Sequence, residues 1–417
     1  MTKEKRHFLI ITHAFPPMGG GGVQRIVKFA KYLQIYNWDV TVVCPTTDTY
    51  VWVDEKRLEE ISGIDIIRIP INSLGVDFFA KIRRKLRFID PFYDWSKDII
   101  NKLEQFDVLK FDLVFSSGPP HSVHYVGRAL KRKFALKWVA DFRDHFTLGP
   151  EYQPLSFIHK RFNRLFEQSI YRESDAIVTN TSTNRYDILK KFDLSIKNKN
   201  KIFTIYNGYD EDDLNGASTT HIGWDKNKIN LIYLGGLRGD HIDGIFYQTV
   251  RNALNIKPEL RHLIRIHIIG DISRKGSLIS DLEIDDVFSF QSFVAFNEVG
   301  VYLDHADAGL TWQRDRPEYK GTVAGKIFDY IGKALPVFSL GQEDGEISNI
   351  LRSNKIGLSV SPENLDEAGR SFITFCEKLE NGDYLYSKKT IDLLDEKFNR
   401  KKQAEQLNEI FNQLFSI

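Results

Sequence analysis

Short runs of β-branched and apolar residues alternate with amphipathic helical stretches along the first third of the chain. The first elements are Phe8–Thr12, an apolar-periodic stretch from Val23 to Leu33, and Val40–Val43. A strand followed by a helix and a second buried strand is a βαβ unit, and such units build parallel sheets covered by helices. We therefore predict an α/β fold. Further strands are predicted at Ile66–Ile69, Leu113–Phe115 and Trp138–Ala140.

The same alternation begins again in the second half. The predicted strands there are Leu231–Leu234, Ile264–Ile269, Val287–Phe290, Ala308–Thr311 and Pro336–Ser339, and the predicted helices are Tyr247–Leu254 and Lys326–Gly332. Between the halves, a turn-rich acidic stretch from Asn207 to Gly216 breaks both periodicities. A chain of 417 residues is long enough for two domains, so we place a hinge near residues 206–225. Apolar residues at helical spacing predict a final docked helix within Phe398–Phe415.

Composition narrows the class of partner. Lys and Arg total 57 against 56 acidic residues, so no net field attracts nucleic acid, and we expect no such partner. Cys44 and Cys376 lie in apolar runs and are expected to be small buried hydrophobes. The polar N-terminus and the lack of a run of ~18 apolar residues predict a cytoplasmic protein, or a peripheral one at the inner face of the cell membrane.

Four consecutive glycines, Gly19–Gly22, separate the first strand from its helix. Glycines in this position let backbone amides approach a ligand closely, and a helix N-terminus favours an anion. The run is neither the GxGxxG fingerprint nor a P-loop. A ligand-contacting loop and a merely flexible turn are equally compatible with it.

A second motif extends from Gly321 to Val337, where a small-residue loop opens a helix that ends near Gly332. The amides of this loop, together with Lys326 in the first helical turn, are suited to hold a diphosphate. Asp329, one turn later on the same face, is suited to accept hydrogen bonds from a ribose. An ordinary capped helix with an exposed Lys–Asp pair is the alternative.

These motifs resemble the family-four retaining glycosyltransferases. The segments that carry the resemblance are Phe15–Gly20, Ala140–Asp144, Ser174–Thr179, Tyr233–Arg238, Ile268–Asp271 and Lys326–Val337, in the family's order and over essentially the whole chain. The resemblance implies an α/β fold of the GT-B class, with two Rossmann-like domains facing a central cleft and a C-terminal helix crossing back to the N-terminal domain. The implied domains are an acceptor domain of residues 1–205, completed by helix 398–417, and a donor domain of residues 206–397.

The resemblance also implies roles for individual residues. Arg238 and Lys326 would neutralise the diphosphate of a nucleotide-sugar donor, and Asp329 would hold its ribose. Across the cleft, Gly20–Gly22 would approach the diphosphate or the donor sugar. Besides Arg238, Lys326 and Asp329, the donor-binding candidates are Gly20, Gly21, Gly22, Gly236, Gly270, Phe293, Val294, Thr322, Val323, Ala324 and Gly325.

Three positions depart from the family's pattern. The first of the family's paired glutamates falls on Gly321, and Glu318 is the nearest acid. Ala334 stands where the family has glycine, and Arg143 where many members have a histidine. The catalytic candidates are therefore Asp141, Arg143, Asp144, Arg238 and Lys326, and the candidates for acceptor or sugar contacts are His13, His121 and His145. A solvated salt-bridge cluster is the alternative for residues 141–145.

The implied reaction is transfer of a sugar, with retention and without a metal cofactor, to a saccharide or lipid-linked saccharide in cell-surface polysaccharide biosynthesis. Two alternatives stay open: an epimerase or hydrolase of GT-B shape that acts on a nucleotide sugar, and a non-catalytic nucleotide-sugar-binding protein, which Gly321 favours. The basic amphipathic stretch at 78–89 predicts contact with an anionic membrane surface. A solvated helix with a buried apolar stripe is the alternative there.

Overall fold

The structure is a computed structural model that describes residues 5–50, 53–71, 89–103, 105, 107–215, 221–237, 241–274, 278–292, 294, 298–384 and 386–416. Arg238, Phe293 and all of the basic stretch except Ile89 lie outside these residues. The chain divides into two compact units. Unit 1 extends to Tyr206 and resumes at Arg400, and unit 2 is Asn207–Asn399.

Unit 1 contains a seven-stranded, all-parallel sheet in the order β3-β2-β1-β4-β5-β6-β7. Its strands are β1 (Arg6–Thr12), β2 (Trp38–Pro45), β3 (Asp65–Ile69), β4 (Leu113–Gly118), β5 (Lys137–Phe142), β6 (Ala176–Thr179) and β7 (Ile202–Thr204). Its helices before the crossover into unit 2 are α1 (Gly21–Leu33), α2 (Tyr93–Leu103), α3 (Val123–Phe134), α4 (Phe157–Glu173), α5 (Ser182–Lys191) and α6 (Ile196–Lys199). Parallel pairing leaves both faces of such a sheet to be covered by helices.

Unit 2 contains a six-stranded, all-parallel sheet in the order β10-β9-β8-β11-β12-β13. Its strands are β8 (Ile229–Leu234), β9 (Ile264–Ile269), β10 (Phe288–Gln291), β11 (Ala308–Trp312), β12 (Val337–Leu340) and β13 (Gly357–Val360). Its helices are α7 (Glu211–Leu214), α8 (His241–Ile256), α9 (Leu260–Leu263), α10 (Leu278–Asp281), α11 (Val299–Asp304), α12 (Lys326–Gly332), α13 (Glu346–Asn354), α14 (Leu365–Glu380) and α15 (Lys388–Phe398).

The last helix, α16 (Arg400–Gln413), returns to unit 1 and packs in its core. Leu407 and Phe411 are fully buried, and the Phe411 ring lies 5.5 Å from Phe8 and 5.4 Å from Trp38. The Trp38 indole also donates a hydrogen bond of 2.9 Å to Asn408. The predicted C-terminal helix and its return to the N-terminal domain are therefore confirmed.

The two parallel sheets confirm the predicted α/β class. Three strands were missed: β6, β7 and β13, of which β7 and β13 are edge strands of three and four residues that carry little period-two pattern. Helix α1 begins two residues earlier than predicted, because Gly21 and Gly22 form its first turn. Cys44 and Cys376 are buried free thiols, as predicted. Among the described residues, no helix combines the length and apolar character that crossing a bilayer requires.

Candidate functional site

The strand order of unit 1 reverses between β1 and β4, which are neighbours in the sheet although two strands separate them in sequence. Open parallel sheets bind ligands beyond the carboxyl ends of the strands at such a switch point. His13 follows β1 directly, and Pro119 follows β4. The predicted site residues of this unit therefore cluster where the topology favours a ligand.

The glycine loop at the end of β1 is open to a ligand. Gly20 has a φ of 96°, which L side chains rarely adopt, and a Cβ added to Gly20 or Gly21 would meet nothing within 4 Å. Gly22 is different, since a Cβ there would lie 3.3 Å from Nη1 of Arg143. The first turn of the thirteen-residue helix α1 thus presents backbone to open space, with a cation beside it.

Arg143 ties two loops together rather than projecting into solvent. Its side chain is buried, and it donates hydrogen bonds of 2.5 Å to the Gly22 and Pro119 carbonyl oxygens and 3.3 Å to that of Gly118. Burial lowers the pKa of this guanidinium, while the nearby Asp141 and Asp144 carboxylates oppose the shift. Because all three acceptors are neutral carbonyls, the positive charge is not cancelled by its hydrogen-bond partners.

Asp141, the last polar side chain of β5, is fully buried. Its carboxylate accepts hydrogen bonds from Arg25 at 2.8 and 3.2 Å and from the Ser117 hydroxyl at 2.7 Å. Arg25 is also buried and donates through Nη1 to the carbonyl oxygens of Ile205 and Tyr206, at 2.9 and 2.7 Å. The geometry favours a positioning role for Asp141 in an ion pair that joins α1, β4 and β5.

The three candidate histidines occupy different environments. His13 is half-buried with its ring 4.5 Å from that of Phe92, and burial lowers its pKa to about 4. His121 is buried, its Nδ1 has no hydrogen-bond partner in the described residues, and burial lowers its pKa to about 3. His145 lies 3.6 Å from the Asp187 carboxylate. The side chain of its neighbour Asp144, another catalytic candidate, is exposed. His13 and His121 are therefore neutral at pH 7.

Unit 2 has its own candidate site at the corresponding switch point, between β8 and β11. Gly235 and Gly270 follow β8 and β9 with φ angles of 119° and 146°. A Cβ on Gly270 would lie 2.4 Å from the Gly235 carbonyl oxygen, so this crossing requires glycine. A Cβ on Gly236 would lie 3.2 Å from that of Asp271. The predicted Gly236 and Gly270 thus form a tight backbone turn at the ligand-binding edge of the sheet.

Lys326 is held over this turn. Its ammonium nitrogen lies 3.1 Å from the centre of the Tyr233 ring and 3.4 Å from where a Cβ on Gly235 would be. Tyr233 in turn stacks on Trp312 at 3.8 Å, and Trp312 stacks on Phe246 at 4.2 Å. The Tyr233 ring, which is itself held by this aromatic stack, therefore contacts the Lys326 ammonium group at the carboxyl ends of β8 and β11.

Most of the other donor-binding candidates lie in the loop before α12 or in α12 itself. Thr322 and Ala324 are half-buried and Val323 is buried, whereas Gly325 is exposed and a Cβ on it would meet nothing within 4 Å. Asp329 is half-buried in α12, three residues after Lys326. Gly321 is buried and Glu318 exposed, and Val294 is half-buried.

The chain resembles known proteins in sequence over part of its length and in structure over nearly all of it. Residues 19–213 match the family model described as Glycosyltransferase Family 4. The structure resembles a sucrose-phosphate synthase from Thermosynechococcus elongatus, with a TM-score of 0.68, 15% identity and coverage of 99% of both chains. It also resembles WaaG, a glycosyltransferase involved in lipopolysaccharide biosynthesis, with a TM-score of 0.63, 15% identity and coverage of 97% of this chain and 99% of that one.

The chain has the GT-B fold. Over residues 19–213, the family match also confirms the resemblance to the family-four glycosyltransferases that the sequence motifs indicate. The structure of a UDP-N-acetylglucosamine 2-epimerase is similar as well, with a TM-score of 0.55, 11% identity and coverage of 99% of this chain and 97% of that one. No curated protein sequence matches the chain.

Sequence reasoning missed two residues, one in the candidate site of each unit. Arg25 lies in an amphipathic helix, where a cation ordinarily marks the solvated face, so the sequence carries no signal of its burial. Tyr233 was part of a recognised motif, but its contact with Lys326 joins positions that are far apart in the chain. Both contacts depend on the order of the strands.

Proposed function

We propose that the protein transfers a sugar from a nucleotide-sugar donor to a saccharide or lipid-linked saccharide acceptor, with retention of configuration. Unit 2 would bind the donor and unit 1 the acceptor. The family match and the GT-B fold support glycosyl transfer, and the lipopolysaccharide role of WaaG supports a place in cell-surface polysaccharide biosynthesis.

The observation that carries the proposal is the position of Lys326. Its ammonium group lies over the Tyr233 ring and beside Gly235, at the point where a parallel sheet binds ligands. A compact cation next to exposed turn backbone suits a diphosphate. Asp329, three residues further along α12, suits the ribose hydroxyls.

The proposed reaction needs little covalent chemistry from the protein. The bond between the anomeric carbon and the diphosphate oxygen breaks, and a bond to the acceptor oxygen forms on the same face. The acceptor's proton passes to the departing diphosphate. Lys326, with Arg238, would stabilise the negative charge that develops on this leaving group. These two cations would replace a metal ion, so we propose metal-independent turnover. Loss of activity in EDTA, restored by Mg²⁺, would contradict that part of the proposal.

Donor-dependent nucleotide release tests the proposal. A thermal-shift panel of UDP, GDP and dTDP identifies the base, since a ligand at about 100 times its Kd stabilises by roughly 2.7 kcal/mol. With that donor, Lys326→Ala and Asp329→Ala should abolish release. Lys320→Ala is the matched control, because Lys320 pairs with Asp344 at the surface and should be dispensable.

The same assay separates the alternatives. An epimerase or hydrolase, which the fold also accommodates, would convert the donor without an added acceptor. A non-catalytic binding protein would show a thermal shift with the nucleotide and no release by the wild type. Only release that requires an acceptor, with the sugar recovered on that acceptor, supports transfer.

A further inference from the structure

Gln342, the second residue after β12, is buried without the hydrogen bonds that its amide can make. The residue is 6% exposed, and its Oε1 has no hydrogen-bond partner among the described residues. A buried oxygen that accepts no hydrogen bond costs free energy, so native proteins complete most such groups with protein, water or a ligand. The incomplete amide of Gln342 therefore indicates a partner that joins it.

This amide lies at the edge of the unit 2 sheet where Lys326 is held. β11 pairs with both β8 and β12, so the carboxyl ends of these strands share one edge. Gln313 directly follows β11 and is 7% exposed. A Cβ on Gly341 would lie 3.0 Å from Cγ of Gln313, so Gly341 leaves the room that this side chain occupies. Two buried amides thus follow neighbouring strands at the ligand-binding edge.

Gln342 also lies close to the loop that precedes α12. The Glu346 amide donates a hydrogen bond of 2.8 Å to the carbonyl oxygen of Lys320, which ties the start of α13 to this loop. A Cβ on Gly345 would lie 3.3 Å from Cβ of Gln342 and 3.6 Å from the same carbonyl oxygen. Because Lys320 immediately precedes Gly321, the Gln342 side chain starts beside the position at which Gly321 offers no side chain.

The carboxylates of this region face solvent or have partners. Glu318 is exposed, and Asp344 pairs with Lys320. Asp315 accepts a hydrogen bond of 2.8 Å from the Ser361 hydroxyl. Gln342, by contrast, keeps an unused acceptor inside the protein.

We propose that Gln342 accepts a hydrogen bond from a hydroxyl group of the donor sugar when a nucleotide sugar is bound in unit 2. A sugar hydroxyl is a neutral donor, so it completes Oε1 without bringing a charge into the site. A diphosphate oxygen does not fit, because it is an acceptor like Oε1 itself. The last side-chain torsion of glutamine is soft, so the amide oxygen can turn towards the bound sugar.

The inference rests on the proposed function and deepens it. Lys326 and Asp329 would hold the nucleotide part of the donor, whereas Gln342 would recognise the sugar. The two parts of the site can therefore be separated by ligands that contain the nucleotide with and without the sugar.

Isothermal titration calorimetry of the full chain makes this separation. The panel is UDP, GDP and dTDP, compared with UDP-glucose, UDP-N-acetylglucosamine, GDP-mannose and dTDP-glucose. In Gln342→Ala, the Kd of the nucleotide sugar that the wild type binds should rise about tenfold, while the Kd of its nucleoside diphosphate stays the same. Gln342→Glu keeps the shape and an acceptor, so it should retain the nucleotide sugar. The matched control is Ser359→Ala, which also removes a buried unpartnered polar atom but from within β13, and should leave both Kd values unchanged.

Several outcomes would overturn the inference. Gln342→Ala could bind the nucleotide sugar like the wild type, or lose the sugar conjugate and the diphosphate equally, as a purely structural residue would. Loss of the nucleotide sugar in Gln342→Glu would show that the amide nitrogen donates instead. Loss confined to Glu318→Gln would assign the sugar contact to that carboxylate. Binding of a nucleoside diphosphate without binding of any nucleotide sugar in the panel would exclude the sugar contact.

Failure of the proposed function gives a different result. In that case none of the nucleoside diphosphates would bind, or Lys326→Ala would leave their Kd values unchanged. If Lys326→Ala weakens the nucleoside diphosphate and Gln342→Ala does not weaken the nucleotide sugar, only the role of Gln342 is refuted.

Discussion

Replacing Asp141 by alanine should destabilise the end of the unit 1 sheet, because it breaks a buried ion pair. The substitution leaves the Arg25 guanidinium, which is 2% exposed, without its anionic partner. Two carbonyl oxygens, of Ile205 and Tyr206, would still accept from it, but neither neutralises its charge. The Ser117 hydroxyl would lose its acceptor as well.

The expected cost follows from these contacts. Breaking a buried ion pair by removing one partner costs about 3–5 kcal/mol, because the remaining charge stays desolvated. Asp141→Asn keeps the shape and an acceptor for Ser117, so it should cost less, about 2 kcal/mol. Replacing both partners, as Arg25→Met/Asp141→Val, removes both buried charges and should cost less than the sum of the two single variants.

Hydrogen–deuterium exchange of peptides that cover β4 and β5 measures this local stability directly. Peptides that cover β11 in unit 2 serve as the internal reference, since the pair lies entirely in unit 1. A cost below about 1 kcal/mol for Asp141→Ala would refute the assigned strength of the pair. Full protection with turnover lost more than about 100-fold in Asp141→Asn would show that Asp141 contacts the substrate, as a catalytic residue does.

Three further predictions concern other positions. Tyr233→Leu should raise the donor KM about fivefold, as expected for the loss of a cation–π contact of about 1 kcal/mol. Tyr233→Phe keeps the ring and loses only the 3.4 Å hydrogen bond from the hydroxyl to the Gly236 carbonyl oxygen, so it should raise KM less in steady-state kinetics. Ala334 has a φ of 52°, so Ala334→Gly should stabilise unit 2 by about 1 kcal/mol in a thermal-shift assay. His121 takes up its proton only near pH 3 when folded and near 6.5 when unfolded, so folding stability falls as the pH drops below 6.5. In His121→Phe, the free energy of unfolding should depend less on pH across that range, by about 1.4 kcal/mol per pH unit. Thermal melts at several pH values measure this slope.

The fold was largely predictable because its strands are long apolar runs buried on both faces. Ile264–Ile269 was predicted with its observed bounds, and Lys326–Gly332 was predicted as the helix that opens after a small-residue loop. Edge strands such as Ile202–Thr204 were missed, since three residues carry no measurable period. The order of the strands in each sheet was not predicted, and it determines which loops meet.

The candidate site was predictable only in part, because local motifs identify loops and not the partners of their side chains. The sequence places Arg143 directly after β5, but not its hydrogen bonds to Gly22 and Pro119. Likewise, Lys326 is visible as a cation at a helix start, while the Tyr233 ring beneath it is contributed by a strand more than ninety positions earlier. Such contacts require the tertiary structure.

The departures from the family pattern affect the two units differently. In unit 1, Arg143 stands where many family members have a histidine, and it donates hydrogen bonds to three carbonyl oxygens. It therefore holds the glycine loop in place and contributes a positive potential there. In unit 2, Gly321 offers no side chain, but Lys326 keeps a rigid aromatic support. In the proposed mechanism, the cation that would face the departing diphosphate is thus preorganised, whereas orientation of the donor sugar would come from groups other than residue 321. Leaving-group stabilisation by Lys326 is therefore the part of the proposed mechanism that these side chains support most directly.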